Sequence, residues 1–380
     1  MRRRGIANLP LHGGRAPRWL FERMTRLSAA IAEAMVILFG RKEFLRRLAD
    51  PVWFQAFGCI LGFDWHSSGL TTTVMGALKE GLRARNWEIG IFVAGGKGKT
   101  SRKTPTEILQ IGERTGMNPQ PLVYASRMTA KVDSAAVQDG YQIYHHTIIF
   151  TADGKWTVVQ QGMNDSTGFA RRYHWISENL ESFVDSPHTG IVSDSRGVAL
   201  DMTAKSSAAA REASVALATE NPDKIVRELQ RAQQILSGQP DLFSAAETDA
   251  KLVPEKIISF HRAHPILSAD IDPRKVKTVL LKTYEKSPRD YEQLLGISGV
   301  GPATVRALAL LSELLYDAKP SFEDPARFSF AHGGKDGHPY PVNRIVYDKT
   351  IYLLEEAIRR AKIEPNTKDN LLFKLKNLWD

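Results

Sequence analysis

The chain has 380 residues, 43% hydrophobic and 24% charged, enough apolar material for two cores of ordinary size and too much for a disordered tail protein. Lys and Arg number 51 against 42 Asp and Glu, a net charge of +9 that favours a polyanionic partner. One cysteine, Cys59, excludes a disulfide framework and a cysteine zinc site.

No apolar run reaches the ~18 residues of a membrane helix. The longest, from Ala29 to Phe39, carries Glu33. Met1-Arg-Arg-Arg is followed by Pro10, His12 and Gly13 and not by the apolar segment of a signal peptide. The expectation is a cytoplasmic protein with DNA as partner and no membrane; a homodimer is compatible with this composition. Residues 1–50 hold eleven Arg and Lys against four Asp and Glu.

Leu20, Met24, Leu27, Ile31, Met35 and Leu38 recur at helical spacing, predicting a helix over 18–48. Phe57 to Phe63 has the length of a strand and ends at Asp64. In an α/β sheet, strand ends gather ligands, so Asp64 and His66 become candidate metal-binding or water-activating residues. The plainer alternative is that Asp64 caps the next helix, expected over about 70–83. A second strand is expected at Glu88–Val93.

Gly95-Gly-Lys-Gly-Lys-Thr-Ser follows, with Lys97, Lys99, Arg102 and Lys103 clustered. An NTPase phosphate loop needs Gly at the first of its eight positions, where this chain has Val93. Contact between these cations and a DNA phosphate is the better reading.

Tyr141–Phe150 and Lys155–Gln160 are β-rich and joined by Thr-Ala-Asp-Gly, predicting a hairpin with Asp153-Gly154 in a turn of two positive φ angles. Around it stand Lys131, Asp133, Asp139, His145, His146, Gln160 and Gln161. A metal-dependent nuclease needs oxygen ligands for Mg²⁺ or Mn²⁺, which activates water and neutralises transition-state charge. Asp133 or Asp139 is the candidate second ligand beside Asp64, with Asp139 favoured for the metal and Lys131 as an assisting cation. The paired-acid and Glu-x-Lys arrangement of one large nuclease class is not met, because the strand ends Gln160-Gln161-Gly162. His145 and His146 are adjacent, so in a strand they face opposite ways. Arg171-Arg172-Tyr-His-Trp interleaves cations with aromatics, as a single-stranded nucleic-acid groove does; an amphipathic helix with Trp175 in the core is the equal alternative.

From about residue 201 strand signals vanish. Ser206–Ala218 is alanine-rich, and Pro222–Leu236 reads as a helix capped by Asn221 and ended by Gly238. The expected fold is an α/β N-terminal domain with a β-hairpin over 1–200, joined near 186–205 to an all-α domain over 201–380.

Within the second half, Leu294-Leu-Gly-Ile-Ser-Gly-Val-Gly-Pro-Ala-Thr-Val-Arg-Ala-Leu resembles the helix-hairpin-helix DNA-binding motif over 294–308. Gly299 and Gly301 permit a tight connection, Val300 tucks between the helices, and the main-chain amides face outward toward a phosphate oxygen. Thr304 and Arg306 could add contacts to the same strand. The motif also occurs in helix-hairpin-helix DNA glycosylases, where a lyase-type Lys follows Gly-Val-Gly and an Asp stands in a Pro-Val-Asp context. Here Ala303 and Asn343 occupy those places, which argues against that chemistry.

The opening Gly5-Ile-Ala-Asn-Leu-Pro-Leu-His-Gly-Gly-Arg-Ala-Pro-Arg-Trp-Leu and the segment Val159-Gln-Gln-Gly-Met-Asn resemble an uncharacterised prokaryotic family carrying only a domain-of-unknown-function label, number 763. The resemblance spans nearly the full length and implies a DNA-processing protein, plausibly a nuclease. The expected activity is therefore metal-dependent DNA cleavage at structured or single-stranded sites, with a non-catalytic DNA-binding scaffold as the alternative and a glycosylase as the second.

Overall fold

The computed structural model describes residues 18–62, 69–193, 197–236, 271–326 and 344–379. Three helices come first: α1 (Arg18–Ala49, with a non-helical break at Gly40), α2 (Pro51–Ile60) and α3 (Gly69–Leu82). The strand expected at Phe57–Phe63 is instead part of α2. Asp50 caps that helix, accepting from Val52 N at 2.9 Å, and Pro51 stands at its first position. A short apolar run cannot tell a buried strand from a buried helix, and nine of the ten residues of α2 are buried.

A short helix, α4 (Asn86–Ile89), precedes β1 (Phe92–Lys97), so the second expected strand begins four residues late. Then follow α5 (Thr104–Thr115), α6 (Gln120–Lys131), β2 (Val137–Gln138), β3 (Gln142–Phe150), β4 (Trp156–Asn164), β5 (Phe169–Ile176), β6 (Gly190–Val192) and β7 (Val198–Asp201). The second half supplies α7 (Ala208–Thr219), α8 (Pro222–Leu236), α9 (Pro273–Lys286), α10 (Tyr291–Gly296), α11 (Pro302–Tyr316), β8 (Ser321–Glu323), α12 (Arg344–Arg360) and α13 (Pro365–Trp379). Asn221 caps α8, accepting from Asp223 N at 2.9 Å; Gly238 lies outside the described residues.

The hairpin forms between β3 and β4, but its loop is not the expected turn. Gly154 alone has a positive φ, 81°, and Thr151 N donates to Lys155 O at 2.9 Å. This is the three-residue loop that ends on a left-handed glycine.

One sheet of five antiparallel strands runs in the order β1-β3-β4-β5-β6, and a smaller one in the order β2-β7-β8. The sheet is antiparallel, so the rule that placed Asp64 at a parallel strand end does not apply. Strand β8 also means that the second half is not purely helical.

The large sheet is covered on both faces, so its strands are buried almost throughout. Ala94, Ile148, Val158 and Trp175 face a core with α5 to α11; Val93, Ile149 and Val159 face another with α1 to α3, α12 and α13. Both cores draw on residues before and after position 200, so the change of composition there marks a change of local structure and not a divide between cores.

Toward one end of the sheet the apolar rows give way to polar ones. Histidine, glutamine and arginine side chains there meet partners from the covering helices. Arg171 lies between Asp139 (2.8 Å) and Asp324 (2.8 Å), all three side chains at most 4% exposed, and it stacks on Tyr141 at 4.4 Å. Burial works against its charge, and the two carboxylates overcome that and raise its pKa. Because Asp324 follows β8, this triad fastens the second half of the chain to β5.

Two predictions follow from this interior. Arg171→Ala leaves two buried carboxylates uncompensated and should lower the unfolding free energy by about 3–5 kcal/mol, read by urea denaturation; a loss under about 1 kcal/mol would refute the triad's role. Burial holds His145 at about 3, His146 at about 4 and His174 well below the ordinary value. These neutral histidines contribute stability in full above their unfolded pKa of about 6.5, and it drains as pH falls toward 4, by about 1.4 kcal/mol per pH unit for each. His146→Gln should make that acid slope shallower by one histidine's share, and an unchanged slope would contradict the assignment.

Candidate nucleic-acid interface

The glycine segment near residue 300 joins two helices. Asp290 caps α10, accepting from Gln293 N at 2.7 Å, and Val300 N donates to Ile297 O at 3.1 Å to close the turn that follows. Ile297 and Val300 are buried between the helices, whereas Gly299 is exposed with φ of 101°, a conformation that disfavours any side chain. Gly301 is the N-cap of α11, and the first-turn amides beyond Pro302 have no intrahelical acceptor.

A Cβ placed on Gly299 would stand 3.9 Å from the ammonium of Lys282 on α9. That exposed lysine therefore flanks the turn, although it is 17 residues upstream on another helix. Lys131 lies on the other side by register. Tyr124 donates to Glu292 at 2.5 Å, Met128 touches Gly296, and Gln138 donates to Pro302 O at 3.1 Å, so α6 and α10 advance together and Lys131 falls beside the turn. More than half buried, its ammonium has its pKa lowered by desolvation.

Thr304 and Arg306 do not join this surface. Both are buried, and Arg306 donates to the Gln138 carbonyl oxygen at 3.1 Å. Helical spacing turns them toward α6 and the segment that follows it, so the expected strand contacts from these two are corrected to packing.

The second basic feature lies at the end of β1, an edge strand. A Cβ on Gly95 would collide with the His146 carbonyl, so only glycine allows the strands to approach there. Glu107 braces the spot: it accepts from Gly95 N at 2.8 Å and pairs with Lys79 at 2.7 Å, while Lys79 donates to Gly95 O at 2.8 Å. From this base a 3₁₀ turn, Gly98–Lys103, leads into α5. Lys97, Lys99, Arg102 and Lys103 are exposed on it, and none forms an ion pair among the described residues. Lys97 lies 5.6 Å from the centre of the Tyr144 ring.

The proposed catalytic carboxylates are placed differently from expectation. Asp133 sits in a π-helical turn after α6 and is fully buried; it accepts from Gln160 (2.6 Å) and Trp175 (2.9 Å) and bonds His188 Nε2 at 2.5 Å. Burial raises its pKa, and His188 and Trp175 oppose that rise. Gln160 in turn accepts from His146 Nδ1 at 2.9 Å, which leaves His146 Nε2 to accept from Ser126 at 2.8 Å. Asp139 is occupied by Arg171 and by the Tyr173 hydroxyl at 2.7 Å.

Both carboxylates are thus saturated inside the protein. Among the described residues no three His, Cys, Asp or Glu side chains are grouped to hold a metal ion. Asp64, His66 and Asn343 lie outside the described residues.

Arg171 and Arg172 are likewise corrected from DNA contacts to interior residues. Strand alternation sends them to opposite faces of β5, and both faces are covered. Arg172 donates to Gln55 at 2.8 Å and Thr71 at 3.3 Å and lies over Phe54, and burial pushes its pKa down to about 9. His145 and His146 point to opposite faces, His145 toward its Thr147 partner at 2.9 Å.

Among the described residues no helix is long and apolar enough to cross a membrane. Nothing among the curated proteins or the solved structures matches this chain. The model of one family, described as protein of unknown function (DUF763), matches residues 5–342, and with nearly nine-tenths of its length covered the chain belongs to that family.

Proposed function

We propose that the protein binds DNA through its phosphates, with weak dependence on sequence. The observation that carries this reading is the exposed Gly299 turn at the start of α11 with the Lys282 ammonium beside it. In the helix-hairpin-helix interpretation, the outward amides and the helix dipole receive a phosphate oxygen and the lysine neutralises its charge. The exposed turn at 97–103 is the second contact region, since four cations without internal partners lose little on meeting a phosphate.

The catalytic extension is a Mg²⁺- or Mn²⁺-dependent phosphodiesterase built round Asp64 and His66. Asp133 and Asp139 are withdrawn as its ligands, because their oxygens already accept hydrogen bonds in a closed interior. That saturation is also what favours the second reading, a DNA-binding scaffold without chemistry of its own.

Retention of a short DNA duplex should weaken about fivefold in Lys282→Ala, the worth of roughly 1 kcal/mol for one charge-assisted contact. Replacing Lys97, Lys99, Arg102 and Lys103 together by Ala should flatten the salt dependence by up to about 3–4 logarithmic units per decade of salt. Melting temperatures should stay near wild type in both, and unaltered DNA retention in both would remove the binding reading. Incubation with bubble, branched and duplex DNA in Mg²⁺ or Mn²⁺ separates the two catalytic alternatives. Strand breaks lost in Asp64→Ala establish the phosphodiesterase, and intact DNA leaves the scaffold.

A further inference from the structure

The end of α3, the short α4, β1 and the start of α5 enclose a cavity of about 320 Å³, within the range of small-ligand sites. Its floor is apolar, from Leu82 and Val93; its polar wall is Lys79, Arg83, Asn86 and Glu107. Lys79 and Glu107 satisfy each other and Gly95, as described above. They are walls and not readers.

Asn86 is different. Its side-chain oxygen is shut off from water and makes no hydrogen bond in the protein. A buried carbonyl in that state costs about 1–3 kcal/mol, which a ligand N–H placed in the cavity would recover. A carboxamide offers an acceptor and a donor side by side, and the edge that complements it is an amino group next to a ring nitrogen, as on adenine.

The rim fits the rest of a nucleotide. Arg83 lines the cavity with a side chain 79% exposed, held only by Glu80 at 3.6 Å. Trp87, next to Asn86, is 41% exposed, with the Arg114 guanidinium 4.5 Å from its ring and Phe92 edge-on at 5.2 Å. An indole fixed in this way is a stacking surface for a neighbouring base. Gly95 joins the cavity wall directly to the basic turn at 97–103.

We propose that this cavity binds the adenine base of an unpaired nucleotide, with Asn86 reading the amino edge and Arg83 holding the 5′-phosphate. The base lies flat on Leu82 and Val93, and a longer strand passes onto the basic turn. Only that last step rests on the DNA-binding reading; the pocket itself is tested with free nucleotides.

Calorimetric titration of the full chain with adenosine 5′-monophosphate and inosine 5′-monophosphate decides the matter, since the two differ at the amino group and the adjoining ring nitrogen. Adenosine monophosphate should bind at least tenfold more tightly, and Asn86→Leu should abolish that preference while duplex retention is unchanged. Arg83→Ala should weaken the monophosphate severalfold and leave adenosine itself unaffected, which keeps the test decisive if the Asn86 variant folds poorly. Absence of adenosine monophosphate binding, equal affinity for the two nucleotides, or a preference that survives Asn86→Leu would overturn the assignment. Loss of nucleotide binding with duplex retention intact would sink the pocket alone; loss of both would sink the DNA-binding reading with it.

Discussion

Charged and polar side chains inside a covered sheet have to find partners within the protein, and that requirement organises this fold. Arg171 is the clearest case. It stands on a strand with a helical layer above, where its charge persists only because Asp139 and Asp324 come to it from two directions. Asp324 can do so only if the chain after α11 returns as β8 and pairs with β7. A single arginine therefore couples the large sheet, the small sheet and the second half of the chain.

The Asp133 network works in the same way on the same face. Ser126, His146, Gln160, Trp175 and His188 join α6, three adjacent segments of the sheet region and the loop before β6 through one carboxylate. Each donor is matched to an acceptor, so the network fixes tautomers and rotamers and rigidifies the interior. It is built for packing. A metal ion would have to displace bonds that this interior depends on.

Once the inner charges are spent on one another, the cations left for a partner are those the fold turns outward. Lys97, Lys99, Arg102 and Lys103 stand on a turn whose base is braced by Lys79 and Glu107. Lys282 and Lys131 flank the glycine turn from helices outside the motif itself. Surface charge and main-chain geometry thus meet at two places without a dedicated charged core, which suits binding that follows the backbone of a polyanion and not its sequence.

Local signals were legible wherever local physics decides. The helix over 18–48, the β3–β4 hairpin, the Asn221 cap and the glycine connection near 300 all stand where spacing and turn chemistry put them. The apolar run at 57–63 and the pair Arg171-Arg172 were misread, because length and composition do not reveal what covers a segment. The same sequence patterns describe an exposed basic strand and one buried on both faces. Arg306 and Thr304 face inward through helical phase, and Lys282, Gly95 and Glu107 acquire meaning only as neighbours across the fold. The amino-acid order by itself determined the elements, the basic excess and the hinge; which charges are consumed inside and which remain for a ligand was decided by tertiary packing, since burial and pairing are properties of contacts between distant residues.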